Sequence, residues 1–449
     1  MLVYENVIGK YLNKSRKSET ISYNKFFLYG IIFVGTLIRL VYCYYFLDSN
    51  LTVDEQSYLN IARSIIDGRW FQLSLNEQCY LYSYNSSEIL PQFFRAPLYP
   101  VVLAVLLTIF KQVPPIAVAV LLNITLNILT AYFIYRIAIT IRGEMTGLIA
   151  TFLFITNPFV IDQCCRTPLM TEPLFTFLIS LSLFNLMKFE NNPSVLRSVS
   201  SGMIIGFGIL CRSAFATMIV ILAIRYSFFM KKQKKLRNAI LLLGVALLTI
   251  LPWTIRNYVE SDGRIIILSA ASGINLWTGS SEFNYRMYTS TTKDTYMKAL
   301  ADYYEFLKDY TNNYPNKTEA EWDPYWWKRG IEEISSNPFR STKLLLFKFF
   351  HMLIPFLNPI TYSSIIVIVS GIYWITLLAF CVKGFSSYSS ESKKLVSLCI
   401  LLFVSMIIGY LFFYFSIRYR IPYTSVIISI LSSVAINDYY LKLRRKVQW

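Results

Sequence analysis

Apolar residues along this chain are grouped in long stretches, and short polar segments with most of the charges separate them. The first stretch runs from Phe26 to Leu47, which is long enough to cross a bilayer as a helix. Residues 199–229 are long enough for two short spans that turn near Cys211. Further stretches that predict spans are 116–141, 144–161, 170–188, 238–255, 363–383, 394–415 and 421–437. The pattern predicts an all-α polytopic membrane protein with about ten transmembrane helices, in a range of about nine to thirteen.

Two apolar stretches, 97–110 and 343–357, are short for a span and better suited to interfacial or re-entrant segments. The first one sets the orientation of everything after it. If it crosses, Arg136 and Arg142 lie outside; if it does not, both lie inside. Because basic residues concentrate in cytoplasmic loops, the second arrangement is favoured, and both chain ends are then expected in the cytoplasm.

The composition agrees with a membrane protein and excludes a typical soluble domain. The chain of 449 residues is 55% hydrophobic and 15% charged, with a mean hydropathy of +0.46. The formal net charge is +17, but its basic residues are dispersed between apolar spans, which argues against nucleic-acid binding. Such residues are expected in cytoplasmic loops and near lipid phosphates. The predicted sections are a cytoplasmic segment 1–25, a catalytic membrane module 26–260 that includes an external loop 48–96, an external loop with helices 261–341, and C-terminal spans with a cytoplasmic tail 342–449.

An acidic pair, Asp54-Glu55, follows the first span. Charged groups at a bilayer edge are costly and need a reason. One reason is local: Thr52 and Glu55 have the spacing of a capping box, which predicts an amphipathic helix over 54–67 ended by Gly68. The other reason is chemical, since a carboxylate can act as a general base.

The predicted topology gathers further charged side chains at the same outer face. Glu172 begins a span there, where a helix dipole alone would favour an acidic residue. The arginines expected on this face are Arg95, Arg166, Arg212, Arg256, Arg418 and Arg420. Arginine binds phosphate through paired, permanently charged contacts. Together these residues favour transfer of a group from a lipid-linked phosphate donor. Four aromatic residues of the external loop could stack on sugars or anchor it at the interface: Trp322, Tyr325, Trp326 and Trp327.

Several short motifs occur in a characteristic order. They are Asp54-Glu55 with Tyr58 and Ala62, Arg95-Ala-Pro-Leu-Tyr-Pro100, Asn157-Pro158, Thr171-Glu172-Pro173-Leu174-Phe175, Gly206-Phe-Gly-Ile-Leu-Cys-Arg212, Pro252-Trp253 with Arg256-Asn257, and Arg418-Tyr-Arg-Ile-Pro422. In this order the chain resembles the GT-C superfamily of membrane glycosyltransferases, in the branch of the dolichyl-phosphate-mannose–protein mannosyltransferases and the aminoarabinose transferase of lipid A. The resemblance covers residues 26–260 and 418–437. It departs at Ala96, where many relatives have a second proline, and at Cys211, where Thr is common.

The resemblance implies a GT-C fold in which juxtamembrane helices cap an external catalytic cavity. It implies a polyprenyl-phosphate sugar donor and an inverting reaction. By motif, Asp54 is the expected general base, Glu55 its neighbour and a metal or acceptor contact, and Glu172 a second acidic position. The expected donor-phosphate ligands are Arg95, Arg256, Arg418 and Arg420. The carboxylates could bind a divalent metal ion or act without one.

The sequence therefore predicts a plasma-membrane enzyme that transfers a hexosyl or pentosyl group to a lipid, glycan or protein acceptor outside the cell. Two alternatives remain open. A flippase or transporter of lipid-linked sugars would be expected to show inverted repeats and broken helices near mid-bilayer, and neither is evident. A polysaccharide polymerase would also act outside on lipid-linked donors, normally oligosaccharide diphosphates.

Overall fold

The structure is a computed structural model that describes residues 25–447, except 49, 75–88, 230–232, 313–317, 358, 360–361 and 385–391. The first ten helices are α1 (Lys25–Phe46), α2 (Val53–Ile66), α3 (Leu98–Ile109), α4 (Pro115–Arg142), α5 (Glu144–Ile155), α6 (Pro158–Cys165), α7 (Glu172–Asn191), α8 (Val195–Cys211), α9 (Thr217–Phe229) and α10 (Gln233–Glu260). The remaining helices are α11 (Ser272–Ser280), α12 (Glu282–Thr289), α13 (Lys293–Asn312), α14 (Glu319–Ser336), α15 (Pro338–Leu353), α16 (Ser364–Gly384), α17 (Ser392–Leu411) and α18 (Ile417–Val447). Strands β1 (Gln72–Ser74) and β2 (Ile89–Pro91) pair antiparallel. The fold is all-α and polytopic, as predicted.

Seven of the described helices are long and apolar enough to cross a bilayer: α1, α4, α7, α10, α16, α17 and α18. Helices α5 and α6 meet at a bend of 51° and make an eighth if they are counted as one broken span. Helix α8 and the apolar helix Ser213–Phe228 lie where the pair of short spans is predicted, but both are shorter than these candidate spans. Helix α3 has 12 residues and is therefore only about 18 Å long, which is short for a bilayer.

Helix α18 lies at the centre of the bundle, where it packs against α4, α5, α7, α16 and α17. Of its most apolar 18-residue window, 89% is buried. Small residues such as Ser429 and Ser432 let neighbouring backbones approach closely, and Ser432 Oγ donates to the carbonyl of Leu377 on α16 at 2.7 Å. This central position fixes the direction of Arg418 in the first turn of α18.

Helices α8 and α10 form another close pair in the bundle. A Cβ on Gly202 would lie 2.4 Å from the carbonyl oxygen of Leu242, and one on Gly206 would lie 2.5 Å from Thr249. The two glycines are four residues apart and therefore face the same side of α8. They set the position of Arg212, which follows α8.

The polar segment 261–341, expected as an external loop with helices, contains α11 to α14 and has its own apolar core. Trp277, Trp322 and Trp326 are fully buried in that core. Trp322 and Trp326 therefore neither stack on a ligand nor reach a membrane interface. The longest described helix of this segment is α13, of 20 residues.

Helix α2 begins as the sequence predicts. Thr52 is its N-cap, and Glu55 completes the capping box. Gly68, with φ +76°, ends the turn that follows α2. The hairpin of β1 and β2 was not predicted, because strands of three residues have no recognisable period.

Candidate active site

Asp54 lies in the first turn of α2 with both carboxylate oxygens bound by arginine. Oδ1 accepts a hydrogen bond from Nη2 of Arg95 at 2.6 Å, and Oδ2 accepts one from Nη2 of Arg418. Arg95 precedes α3 and Arg418 begins α18, so the contacts join three segments that are far apart in the sequence. The fold therefore brings Asp54, Arg95 and Arg418 together, as the outer-face hypothesis requires.

Glu172 is the second carboxylate of this cluster. Its Oε1 lies 3.4 Å from Nη1 of Arg212 and 3.7 Å from Nε of Arg418. Arg418 thus bridges Asp54 and Glu172, and the Arg212 guanidinium lies 4.4 Å from the ring centre of Tyr419. Three arginines surround two carboxylates, which leaves a surplus of positive charge.

The Asp54 carboxyl group is subject to two opposing effects. Burial raises its pKa, whereas the charges and hydrogen bonds of Arg95 and Arg418 lower it. The arginines prevail, and the pKa of Asp54 lies well below its ordinary value. Asp54 is therefore ionised at neutral pH, and it is a weak proton acceptor as long as both arginines remain bound to it.

The segment that carries Arg95 is held by buried polar groups. Glu319 of α14 accepts hydrogen bonds from the backbone N–H groups of Phe93 and Phe94 at 2.6 and 2.7 Å. The side-chain oxygen of Gln92 accepts from the Arg95 backbone N–H at 2.9 Å. Glu319 and Gln92 hold this segment in place, and neither could be recognised from the sequence, since one contact joins distant segments and the other depends on a local bend.

Arg256, an expected phosphate ligand, lies beneath the hairpin instead. Its Nη1 donates to the carbonyl of Gln92 at 2.9 Å and its Nη2 to that of Phe71 at 3.2 Å. The guanidinium also lies 5.0 Å from the ring centre of Trp253. Arg256 lines neither cavity described below, and its contacts support the segment that leads to Arg95.

Glu55 and Arg420 are also apart from the cluster. Glu55 is buried: Oε2 accepts from the Thr52 backbone, and Oε1 accepts from the backbone N–H of Leu169 at 3.2 Å. Arg420 is fully buried, donates to the carbonyl of Met352 at 3.1 Å and lies over the ring of Trp374. Neither residue is in the lining of the two cavities described below.

A cavity of about 620 Å³ opens onto the Asp54 cluster. Asp54, Arg95, Arg212 and Arg418 line it, together with Tyr58. Bundle residues contribute an apolar part that includes Ala214, Ile408 and Gly409. The polar segment contributes hydroxyl and amide groups: Ser269, Ser272, Asn275 and Thr278. This cavity therefore combines apolar, cationic and polar walls.

A second cavity, of about 420 Å³, adjoins the first one and has Glu172 in its lining. The two cavities share Met287, Tyr414, Ser416 and Arg418 in their linings. Lys348 holds the segment that precedes these shared residues, because its ammonium donates to the carbonyls of Leu411 and Phe413 at 3.2 and 2.8 Å.

The second cavity also contains Asp162, a carboxylate that the sequence analysis did not consider. Its oxygens accept hydrogen bonds from the hydroxyls of Tyr42 at 2.8 Å and Tyr362 at 2.5 Å. Tyr362 in turn lies beneath the Arg166 guanidinium, 4.5 Å from it. Asp162 follows Asn157-Pro158 by one helical turn, and that spacing was the signal that could have indicated it.

A divalent metal ion does not fit the charge of this cluster. Among the described residues, no three His, Cys, Asp or Glu side chains are close enough together to hold a metal. Both oxygens of Asp54 face guanidinium groups, and Arg212 and Arg418 lie beside Glu172. Like charges at this range repel, so the arginines would oppose a cation here.

Comparison with known proteins agrees with the motifs. Residues 94–255 match the family described as dolichyl-phosphate-mannose-protein mannosyltransferase. A comparison with curated protein sequences finds no significant match.

Among solved structures, the archaeal oligosaccharyltransferase AglB from Archaeoglobus fulgidus, in complex with an inhibitory peptide and a dolichol-phosphate, has a TM-score of 0.55 at 13% identity. The match covers 94% of this chain and 52% of AglB. The same oligosaccharyltransferase in complex with Zn and sulfate gives 0.54 at 13% identity, with 93% and 50% covered. This chain thus spans about half the length of those structures.

ArnT from Cupriavidus metallidurans bound to undecaprenyl phosphate has a TM-score of 0.40 at 14% identity, with 93% of this chain and 78% of ArnT covered. That weaker likeness does not establish a shared fold. Residues 94–255 are thus similar to a mannosyltransferase family, and the chain shares its fold with the membrane part of an oligosaccharyltransferase structure about twice its length.

Proposed function

We propose that this protein transfers a sugar from a polyprenyl-phosphate-linked donor to an acceptor. The observation that carries the proposal is the convergence of Arg95, Arg212 and Arg418 on Asp54 and Glu172 where the two cavities adjoin. Three cationic and two anionic side chains leave one net positive charge, which matches the single negative charge of a sugar phosphodiester. The match to a mannosyltransferase family and the dolichol-phosphate bound by AglB support a lipid-linked donor.

The walls of the first cavity suit the three parts of such a donor. The apolar part near Ala214 and Gly409 belongs to the membrane bundle and would receive the start of the polyprenyl chain. The arginines would hold the phosphate through charge-assisted hydrogen bonds. The sugar would then lie towards the polar segment 261–341. This order follows the polarity of the molecule from lipid to sugar.

The expected reaction is attack of an acceptor hydroxyl or amine on the anomeric carbon. The bond from that carbon to the acceptor oxygen or nitrogen forms as its bond to the phosphate oxygen breaks, and polyprenyl phosphate leaves with the electron pair. The leaving phosphate gains negative charge, which the arginines would stabilise. The acceptor proton passes to a carboxylate, for which Asp54 is the proposed base. The acceptor would enter through the second cavity, across the wall that contains Arg418.

Donor binding would also activate Asp54. A phosphate competes with Asp54 for Arg95 and Arg418, and each contact that moves to the phosphate removes an influence that lowers the pKa of Asp54. The carboxylate then becomes a better base once the donor is in place. We further propose that the site faces the outside of the plasma membrane, because the basic end of α18 at Arg444, Arg445 and Lys446 favours a cytoplasmic C-terminus.

The test is transfer by purified protein in lipid nanodiscs, with a polyprenyl-monophosphate sugar and mixed lipid, glycan and peptide acceptors. The protein should release polyprenyl phosphate, and Asp54→Asn should reduce transfer by about a hundredfold or more while the protein still folds. Asp67→Asn, an exposed carboxylate at the end of α2, is the control and should keep full activity. Full activity of Asp54→Asn would refute the base role. In sealed proteoliposomes, translocation of the intact lipid without cleavage would indicate a flippase instead.

A further inference from the structure

The polar wall of the first cavity contains one side-chain amide, and no residue that the structure describes forms a hydrogen bond with it. Asn275 of α11 lines the cavity, and among the described residues its side chain makes no hydrogen bond. Its neighbours differ in this respect. Ser272 Oγ donates to the Asp323 carboxylate at 3.2 Å, and Thr278 Oγ1 is hydrogen bonded to the Tyr303 hydroxyl at 3.1 Å. Asn275 is therefore the amide left to bind a ligand on this wall.

Helix α11 holds Asn275 rigidly against the wall between the two cavities. The Asn275 carbonyl accepts a hydrogen bond from the backbone N–H of Tyr414 at 2.8 Å. One turn further along α11, a Cβ on Gly279 would lie only 2.5 Å from the backbone of Phe413. The wall that leads to Arg418 and the helix that carries Asn275 are thus packed backbone to backbone. One ligand would then contact Arg418 through its phosphate and Asn275 through another group at the same time.

We propose that Asn275 binds hydroxyl groups of the donor sugar and helps to select it. An amide offers one acceptor and two donor hydrogens, so it can satisfy two neighbouring hydroxyls of a sugar ring. A cavity of about 620 Å³ is in the usual range for a small-molecule site. The inference rests on the proposed function, because it assigns the sugar of a donor whose phosphate is held by the arginines.

A site that hydrogen-bonds a hydroxyl discriminates against ligands that lack it. Asn275→Ala should therefore weaken binding of a sugar-bearing polyprenyl phosphate by about tenfold. It should leave binding of sugar-free polyprenyl phosphate unchanged, since the arginines are intact. Asn275→Asp keeps the shape and the acceptor but loses the donor hydrogens. The loss of binding affinity in this variant should therefore depend on which sugar is attached.

The experiment measures binding to full-length protein in nanodiscs by native mass spectrometry or calorimetry. The probes are sugar-free polyprenyl monophosphate and its glucosyl, galactosyl, mannosyl and arabinosyl esters. Asn60→Ala is the matched control, because Asn60 lies on α2 outside both cavities and its side chain is bonded only to Gln56 among the described residues. It should bind every probe as the wild type does.

The expected result is that the wild type prefers at least one sugar ester over the sugar-free lipid, and that Asn275→Ala loses this preference. Two results would overturn the inference: no preference in the wild type for any ester, or equal weakening of all probes in Asn275→Ala. Wild-type protein that binds no polyprenyl phosphate at all would contradict the proposed function, and that outcome is separate from the other two.

Discussion

Asp54 is the proposed base, but its two arginine partners keep it a weak proton acceptor until a ligand binds. Burial alone would raise its pKa, but Arg95 and Arg418 hold the pKa well below the ordinary value. Its side chain is 19% exposed, so the site is open enough for exchange with a ligand. The ligand-free protein therefore keeps Asp54 ionised down to pH values below the ordinary value of about 3.9.

Replacing Arg95 by Gln should move the acid limb of activity to higher pH. With one arginine removed, the effect of burial is opposed only by Arg418, so the pKa of Asp54 rises and its proton binds at higher pH. The pH dependence of kcat/KM, which reports the free enzyme, measures this shift. Arg63→Gln removes an equal charge from the exposed end of α2 and should leave the acid limb unchanged. Identical profiles for the two variants would show that Arg95 does not control Asp54.

From the sequence alone, the charged residues could be predicted to share one face of the bundle, but their separate roles could not be predicted. Asp54 and Glu55 are adjacent, yet one lines the cavity and the other is buried in contacts with Thr52 and Leu169. Arg418 and Arg420 differ in the same way, because a helical turn of 3.6 residues sends positions two apart to different sides. Which side faces a cavity depends on packing that only the fold reveals.

At the level of elements, α14 is joined to the segment before α3 by the hydrogen bonds from the backbone of Phe93 and Phe94 to Glu319. This contact, called the strap below, is the one most open to test. Glu319→Ala would leave the buried N–H groups of Phe93 and Phe94 without their carboxylate, at a cost of about 1–3 kcal/mol. Arg95 follows directly, so binding of polyprenyl phosphate should weaken as well. Thermal unfolding in detergent and lipid binding measure the two effects.

Glu332→Ala is the control for this strap. Glu332 lies on the same helix but is exposed, with only a 4.0 Å ion pair to Lys328. Such surface pairs contribute little, so neither stability nor binding should change. If Glu319→Ala matched Glu332→Ala in both measurements, the strap would have no part in placing Arg95.

Helix starts could be predicted because their signals are local. The capping box of Thr52 and Glu55 and the position of Glu172 at the start of α7 both depend on neighbours in the chain. The strap could not, since Glu319 contacts residues more than 200 positions away. Its place in the first turn of α14 is already accounted for by the helix dipole, so the sequence contains no further signal for this contact.

The basic residues indicate how the whole molecule is oriented in the membrane, and labelling can test this orientation. The last turn of α18 contains Arg444, Arg445 and Lys446, and basic residues favour the cytoplasmic side. If α16, α17 and α18 each cross the membrane, the polar segment 261–341 and the C-terminal end of α18 lie on opposite sides. The proposed reaction requires the polar segment, with its cavity wall, to be outside.

Single cysteines at the two places should therefore react differently with a membrane-impermeant maleimide on intact cells. Glu332→Cys on α14 should be labelled, whereas Arg445→Cys should be labelled only after the cells are opened. The six native cysteines in the described residues are buried, and Cys79→Ser removes the seventh, so the background is low. Labelling of Arg445→Cys on intact cells with protection of Glu332→Cys would invert the topology and place the cavity wall in the cytoplasm. The arginine cluster would then have to draw its lipid donor from the inner leaflet.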